Sequence, residues 1–182
     1  MYEKFGQFID GKWQPSEKKE TYEVINPANE EVLGNASKAT PSDVDKALKS
    51  AEKGLEVWKK TSPWKRSYII RKIADKMREK QDVLAKWMTL EVGKPFAEAK
   101  GEVGGAADIF EWNAEETKRI YGQTVESRFE DTRVHVYYQP VGVVAALTPW
   151  NFPLVLSARK ISTALAAGCS VIVKPDGITP GT

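Results

Sequence analysis

The sequence predicts an α/β fold built on a parallel sheet, and three observations carry that reading. Val141-Gly-Val-Val-Ala-Ala-Leu147 is an apolar run of strand length without alternation, as expected of a strand covered on both faces. After Thr148-Pro-Trp-Asn-Phe-Pro153 come a helix-like segment and a second short apolar run, Ser170-Val-Ile-Val173. This is a βαβ unit, for which a right-handed crossover is expected. Ahead of it, residues 42–117 carry apolar side chains at helical spacing. In parallel sheets ligands lie beyond the carboxyl ends of the strands, which here means residues 148–153 and 174–180.

The 182 residues suit one domain. A composition of 41% hydrophobic and 29% charged residues allows a buried core and argues against disorder. The net charge of +2, with basic and acidic residues interleaved, leaves no footprint for nucleic acid. One Cys excludes an intrachain disulfide and favours a reducing compartment. Residues 1–6 have no apolar signal-peptide core. No apolar run approaches the roughly 18 residues of a membrane helix. The expectation is a cytoplasmic protein with no nucleic-acid or membrane partner.

Taken in order, Asp10-Gly11 between short apolar runs signals a two-residue hairpin with both turn residues at positive φ. Tyr22-Glu-Val-Ile25 reads as a strand ended by Asn26-Pro27, and residues 31–37 as its antiparallel return. Ser42, with Asp45 three residues on, reads as a helix cap; Val44, Ala47, Leu48, Ala51, Leu55 and Trp58 form its apolar face. Ser62-Pro63 starts the next helix, with Trp64, Tyr68, Ile69, Ile73 and Met77 as its buried stripe. Polar residues 78–82 predict a break. Leu84, Trp87, Met88 and Val92 carry a further helix to Gly93. Lys94-Pro95 opens another, with Ala99, Val103, Ala106, Phe110, Ala114 and Thr117 on one face. Gly101, Gly104 and Gly105 weaken that helix unless another backbone packs close. The Lys-rich run 49–80 reads as solvated helix faces. From Thr124 the period becomes two, with Thr132, Val134, Val136 and Tyr138 on one side. Pairing with a partner subunit and a hairpin on the same domain stand level for this stretch. The chain then reads strand, helix and strand. Two parallel strands are too few to bury both faces, so the expectation is a domain cut part-way.

Three residues are candidates for chemistry. Asn151, in a Pro-bracketed loop at a strand's carboxyl end, can donate its amide to a developing oxyanion, a role worth about 3 kcal/mol in comparable sites. Its bland alternative is an Asn that holds a tight turn through its own backbone. Lys174 is placed either to bind a ligand or as a solvated strand end. Cys169 has no neighbouring base or cation to activate it and reads as a small buried thiol. There is no metal-ligand cluster, P-loop or GxGxxG fingerprint, since Gly101-Glu-Val-Gly-Gly lies within a helical pattern.

Residues 148–153, with Gly142 upstream and Ala167-Gly-Cys-Ser-Val-Ile-Val-Lys-Pro175 downstream, resemble the aldehyde dehydrogenase superfamily. Phe8-Ile-Asp-Gly-Lys-Trp13, Asn26-Pro-Ala28, Glu91-Val-Gly-Lys-Pro95 with Glu98-Ala99 and Glu102, and Glu116-Thr-Lys-Arg-Ile-Tyr-Gly122 extend the resemblance over nearly the whole chain. The Glu-rich lead into Lys118 and the pair Arg159-Lys160 make it most similar to the succinate-semialdehyde dehydrogenases.

The resemblance implies the first part of a Rossmann-like, parallel-sheet cofactor-binding domain with N-terminal helices and a β oligomerisation arm. Residues 1–121 and 141–182 would form the NAD(P)-binding part and 122–140 the arm, which moves the level choice above towards intersubunit pairing in a dimer or tetramer. The catalytic domain, with nucleophilic Cys, general-base Glu and nicotinamide loop, would lie further on; the chain alone is expected to be inactive. The implied reaction is oxidation of an aldehyde, succinate semialdehyde first, with NAD or NADP. Asn151 would donate to the oxyanion; Thr148, Pro149, Trp150 and Asn151 would line the cofactor cleft. Lys174 would reach the adenosine ribose, with Pro175, Asp176 and Gly177 beside it. Arg159 would pair with the distal carboxylate of the substrate. Gly177 stands where NAD-preferring members carry Glu, and Asp176 is one place earlier, so cofactor preference stays open. The alternative is a non-catalytic fragment that acts by nucleotide or subunit binding.

Overall fold

Residues 6–182 are described by the structure, a computed structural model; the first five residues of the segment read for a signal peptide lie outside them. β1 (Gln7–Ile9) and β2 (Lys12–Gln14) form the expected hairpin, with Asp10 at φ 55° and Gly11 at φ 74°. β3 (Thr21–Ile25) and β4 (Val32–Ser37) pair antiparallel. Four helices follow: α1 (Pro41–Trp58), α2 (Pro63–Glu79), α3 (Gln81–Val92) and α4 (Phe96–Glu116), the last ending in a 3-10 turn, Thr117–Arg119. β5 (Gln123–Glu126) and β6 (Arg133–Val136) make a third antiparallel pair. The predicted βαβ unit closes the chain as β7 (Val143–Leu147), α5 (Pro153–Ala166) and β8 (Ser170–Lys174), with β7 and β8 parallel. Among the described residues no helix is long and apolar enough to cross a membrane.

The start of α1 is shifted from the expected Ser42. Pro41 occupies the first helical position, where its missing N–H costs nothing, so the cap falls on Thr40. The Asp43 amide donates to the Thr40 hydroxyl at 3.3 Å, and the Thr40 amide donates to the Asp43 carboxylate at 3.0 Å. The Glu17 amide donates to the same carboxylate at 3.1 Å, which ties the segment after β2 to the helix. The face of α1 is only partly covered; Val44 and Leu48 are exposed.

α4 is the hub on which α2, α3 and α5 pack. Ala106, Ala107, Phe110 and Ala114 of α4 meet Ile70, Ala74 and Met77 of α2 and Ala158 and Ala166 of α5 in one cluster. Small side chains at the α4–α5 contact let the helices approach closely, and the Asn113 amide donates to the Ser162 hydroxyl at 3.0 Å. The buried face of α2 is rotated from the expected stripe. Trp64 and Tyr68 are exposed, their rings lying under the amines of Lys118 and Lys72 at 5.4 and 4.5 Å. Ile70 and Ala74 take the core positions, and Arg66 is buried, an exception to the solvated basic run. The glycines of α4 do not mark close backbone packing. A Cβ at Gly101 would meet nothing within 4 Å, and Cβ atoms at Gly104 and Gly105 would touch only side chains, at 3.7 and 3.9 Å.

α1 and α5 both pack on the parallel pair. Yet β7 is not buried on both faces as its lack of alternation predicts. Ala146 is fully buried, whereas Leu147 is 64% exposed and Val173 of β8 41%. With no further strand beside the pair among the described residues, apolar run and burial part company.

The cap on α1 is directly testable. The Thr40 amide, then those of Glu17 and the Thr40 hydroxyl, hold the Asp43 carboxyl at about 2 against an ordinary 3.8, with burial opposing. Folding lowers this pKa, so its stabilisation is full above pH 3.8 and is lost as the pH falls through about 2. Carboxyl NMR titration of Asp43 should show the low midpoint, and Thr40→Ala should raise it while costing about 1 kcal/mol in denaturant unfolding.

Candidate functional site

β7 and β8 end level, with Leu147 opposite Lys174, and the Thr148 amide donates to the Lys174 carbonyl at 3.2 Å. Both candidate loops therefore leave the same end of the parallel pair, side by side. Thr148 is buried there, while Pro149, Trp150, Asn151 and Phe152 are exposed.

The first loop is held from outside. Phe152 occupies the cap position of α5 and has no side chain able to bond the helix amides. Glu102 of α4 does this instead: its Oε1 accepts from the Leu154 and Val155 amides at 3.0 and 3.2 Å. A carboxylate at a helix N-terminus satisfies orphan donors and complements the helix dipole. Its Oε2 accepts from Lys94 Nζ at 2.5 Å, and the same amine donates to the Asn151 carbonyl at 3.0 Å. The Phe152 ring lies 4.0 Å from the ammonium. The pair is buried, with side-chain exposures of 10% for Lys94 and 2% for Glu102. Lys94 thus holds the Asn151 backbone. Among the described residues no hydrogen bond engages the Asn151 side-chain amide, so the turn-holding alternative is not what the structure shows.

Lys94, Glu98, Glu102, Phe152 and Leu156 line a cleft of about 400 Å³, and Arg159 reaches it from α5. Arg159 is exposed and has no ion-pair partner among the described residues. Its guanidinium and the Lys94–Glu102 pair share one cleft directly beside the Asn151 loop.

In the second loop Lys174 is exposed and, among the described residues, without an acid partner. Asp176 is committed to a turn. Its Oδ1 accepts from the Ile178 amide at 3.0 Å, and its carbonyl accepts from the Thr179 amide at 3.2 Å. Gly177 is exposed, with the Tyr22 hydroxyl 3.8 Å from where a Cβ would stand. Burial and then the charge of Asp176 push the Tyr22 phenol above its ordinary pKa. Pro175 is half-buried beside this turn. Cys169 is buried at the start of β8, at the opposite end of the strand from Lys174. Four steps of parallel strand separate Ser170 from Lys174, about 13 Å. Among the described residues no His, Cys, Asp and Glu side chains converge as a metal site.

A model of the aldehyde dehydrogenase family matches residues 13–182. The chain belongs to this family. It is 44% identical to glutarate-semialdehyde dehydrogenase of Pseudomonas aeruginosa, over 95% of this chain and 36% of the relative. It is 45% identical to an NADP-dependent succinate-semialdehyde dehydrogenase of Escherichia coli, over 94% of this chain and 36% of the relative. The structure superimposes with a TM-score of 0.94 on a betaine aldehyde dehydrogenase point mutant from Staphylococcus aureus in complex with NAD+. That match has 36% identity and covers 97% of this chain and 36% of the other. The fold is thus that of the first part of the aldehyde dehydrogenase NAD(P)-binding, Rossmann-like domain. NAD(P) binding defines the family. This aldehyde dehydrogenase chain spans about a third of the length of these relatives, 36%.

Lys94, Glu98 and Glu102 belong to the motif residues, but the sequence alone assigns them no role. One signal was available: Glu102 falls between Ala99, Val103 and Ala106 on the buried face of α4, where a lone acid requires a partner. What the pattern does not contain is the partner's position, set by the α4–α5 packing.

Removing Glu102 strands the Lys94 charge and two helix amides at once. Glu102→Ala should destabilise by about 3 kcal/mol in denaturant unfolding. Hydrogen exchange at the Leu154 and Val155 amides should accelerate more than in the α2–α4 core. Unchanged exchange at those two amides would show that α5 does not depend on this carboxylate.

Proposed function

We propose that this chain supplies the oxyanion donor and the adenosine-side cofactor contacts of an NAD(P)-dependent aldehyde dehydrogenase acting on ω-carboxylated aldehydes, succinate semialdehyde first. The observation that carries the reading is the exposed, uncommitted Asn151 amide on a loop whose backbone Lys94 anchors, beside a cleft that contains Arg159. Anchoring the loop backbone limits the reorganisation needed to turn this amide toward an oxygen on which charge develops. Arg159 offers a planar fork suited to a carboxylate. Two relatives are named for succinate and glutarate semialdehyde, both with a carboxylate at the end away from the aldehyde.

The residues at the sheet end fit a dinucleotide. Lys174 is a cation without an acid partner among the described residues, and Gly177 is exposed beside it in the same loop. Thr148, Pro149, Trp150 and Asn151 would flank the cofactor on one side, and Lys174, Pro175, Asp176 and Gly177 on the other. A dinucleotide held there would supply the hydride acceptor for the oxidation. The Asp176 turn leaves one carboxylate oxygen for a ribose hydroxyl, and its charge disfavours a 2′-phosphate. The reacting thiol is not Cys169, which is buried and at the wrong end of β8. The exposed hairpin at 122–140, with Tyr137 and Tyr138 in solvent, is assigned as the arm that pairs with another subunit.

Two measurements test this reading. In the active protein that carries the chain, Asn151→Ala should lower kcat about 100-fold for charged and uncharged aldehydes alike. Arg159→Ala should lower kcat/KM for succinate semialdehyde roughly 30-fold while sparing an uncharged aldehyde of similar length. Equal effects of Arg159→Ala on both substrates would remove it from the substrate site. The isolated 182-residue chain should show no aldehyde-dependent NAD(P)H formation; clear turnover would mean that the nucleophile lies within it.

A further inference from the structure

We infer that Glu91 is a positioning residue for the second loop. It anchors residues 181–182 and thereby fixes the backbone that carries Lys174 and Asp176, setting the affinity for the dinucleotide. The inference rests on the cofactor reading above.

Glu91 lies in the last turn of α3 and its residue is fully buried, at 0% exposure. A buried carboxylate is costly unless donors surround it. The Gly181 and Thr182 amides donate to it at 2.8 and 2.9 Å, and the Thr182 hydroxyl donates as well. These donors come from one dipeptide, distant in sequence, that directly follows the loop. Burial pushes the Glu91 pKa above its ordinary value, and these donors pull it back part of the way.

The fit is shaped from the other side too. A Cβ on Gly181 would overlap the Trp87 ring and come within 2.8 Å of the Glu91 carboxylate, so only glycine admits this docking. Between the dock and β8 the loop is held by its own turn, with Ile178 and Thr179 amides bonded to Asp176 and Thr179 buried. The near end is held where the Thr148 amide meets the Lys174 carbonyl. Without Glu91 the Gly181 and Thr182 amides lose this acceptor, and the span from β8 to the dock loses this hold.

A purely structural role for Glu91 in α3 is less consistent with the packing. The cluster of Ala85, Met88, Ala99 and Val103 secures α3 on α4 without it. Moreover Gly93, at φ 76°, reverses the chain between Glu91 and Lys94. One side chain then grips the end of the second loop while the other grips the Asn151 carbonyl. The α3–α4 corner holds both loops relative to each other.

The test compares the unaltered 182-residue chain with Glu91→Ala and Gly181→Ala. The second variant expels the segment by overlap with the Trp87 ring while keeping the Glu91 side chain, so it stands if the first fails to fold. Amide hydrogen exchange is read across 174–182 and across α3 and α4, and NAD+ and NADP+ binding is measured by calorimetry. Both variants should lose protection at the Thr179, Gly181 and Thr182 amides while α3 and α4 keep theirs. Dinucleotide affinity should fall about tenfold, as the fraction of competent loop falls. In the active protein KM for the dinucleotide should rise with kcat held. Absence of dinucleotide binding by the unaltered chain overturns the cofactor reading and this inference together. Binding that both variants match, or protection that survives in both, overturns the inference alone.

Discussion

The buried Lys94–Glu102 pair is the constraint on which the candidate site depends. α5 begins with Phe152-Pro153 and has no side chain of its own to satisfy its first amides. A helix start without an acceptor is unfavourable where water is excluded. α4 supplies the acceptor through Glu102, and Lys94 balances the charge. The arrangement needs α4 and α5 to run close, which Ala106, Ala107 and Ala158 allow. The loop that carries Asn151 therefore takes its position from helix packing and one ion pair, and its side-chain amide is left free. Breaking a buried pair costs more than making it gains, so the pair acts as a positional constraint more than as a source of stability.

Local signals were legible wherever the backbone dictates geometry by itself. Asp10-Gly11 specified a hairpin, Ser62-Pro63 a helix start and Gly93 a helix stop, and the structure has all three. The Thr40 cap was displaced by two residues because Pro41 at the first helical position outranks Ser42 as a signal. Helical spacing alone could not tell Trp64 and Tyr68 from core residues, since an aromatic at a face's edge serves equally under a lysine. The unalternating run of β7 reports what the strand can be buried by, and the described residues give it only part of that cover. In the site, the loops and their common end followed from the βαβ reading. The grips on them did not, because Glu102 to Leu154 and Glu91 to Gly181 are contacts between segments far apart in sequence.

The second loop absorbs its own acid into a turn. Asp176 closes that turn through the Ile178 amide. Gly177 is exposed at that turn, and Lys174 is unpaired among the described residues. The loop keeps a cation and an open approach while its acid is partly consumed.

Glu91 and Glu102 sit at equivalent places in the logic of the fold. Each is an acid on the apolar face of its helix, among Ala85, Met88, Ala99 and Val103, where a charge has no packing value. Each accepts backbone amides from a segment that borders one of the two loops. An apolar residue at either place would still fill the core. It would leave amides unsatisfied at the edge of a candidate loop, at about 1–3 kcal/mol for each group. The buried acids are therefore best understood by what they hold: two loops from one sheet end, indexed to a single corner between α3 and α4.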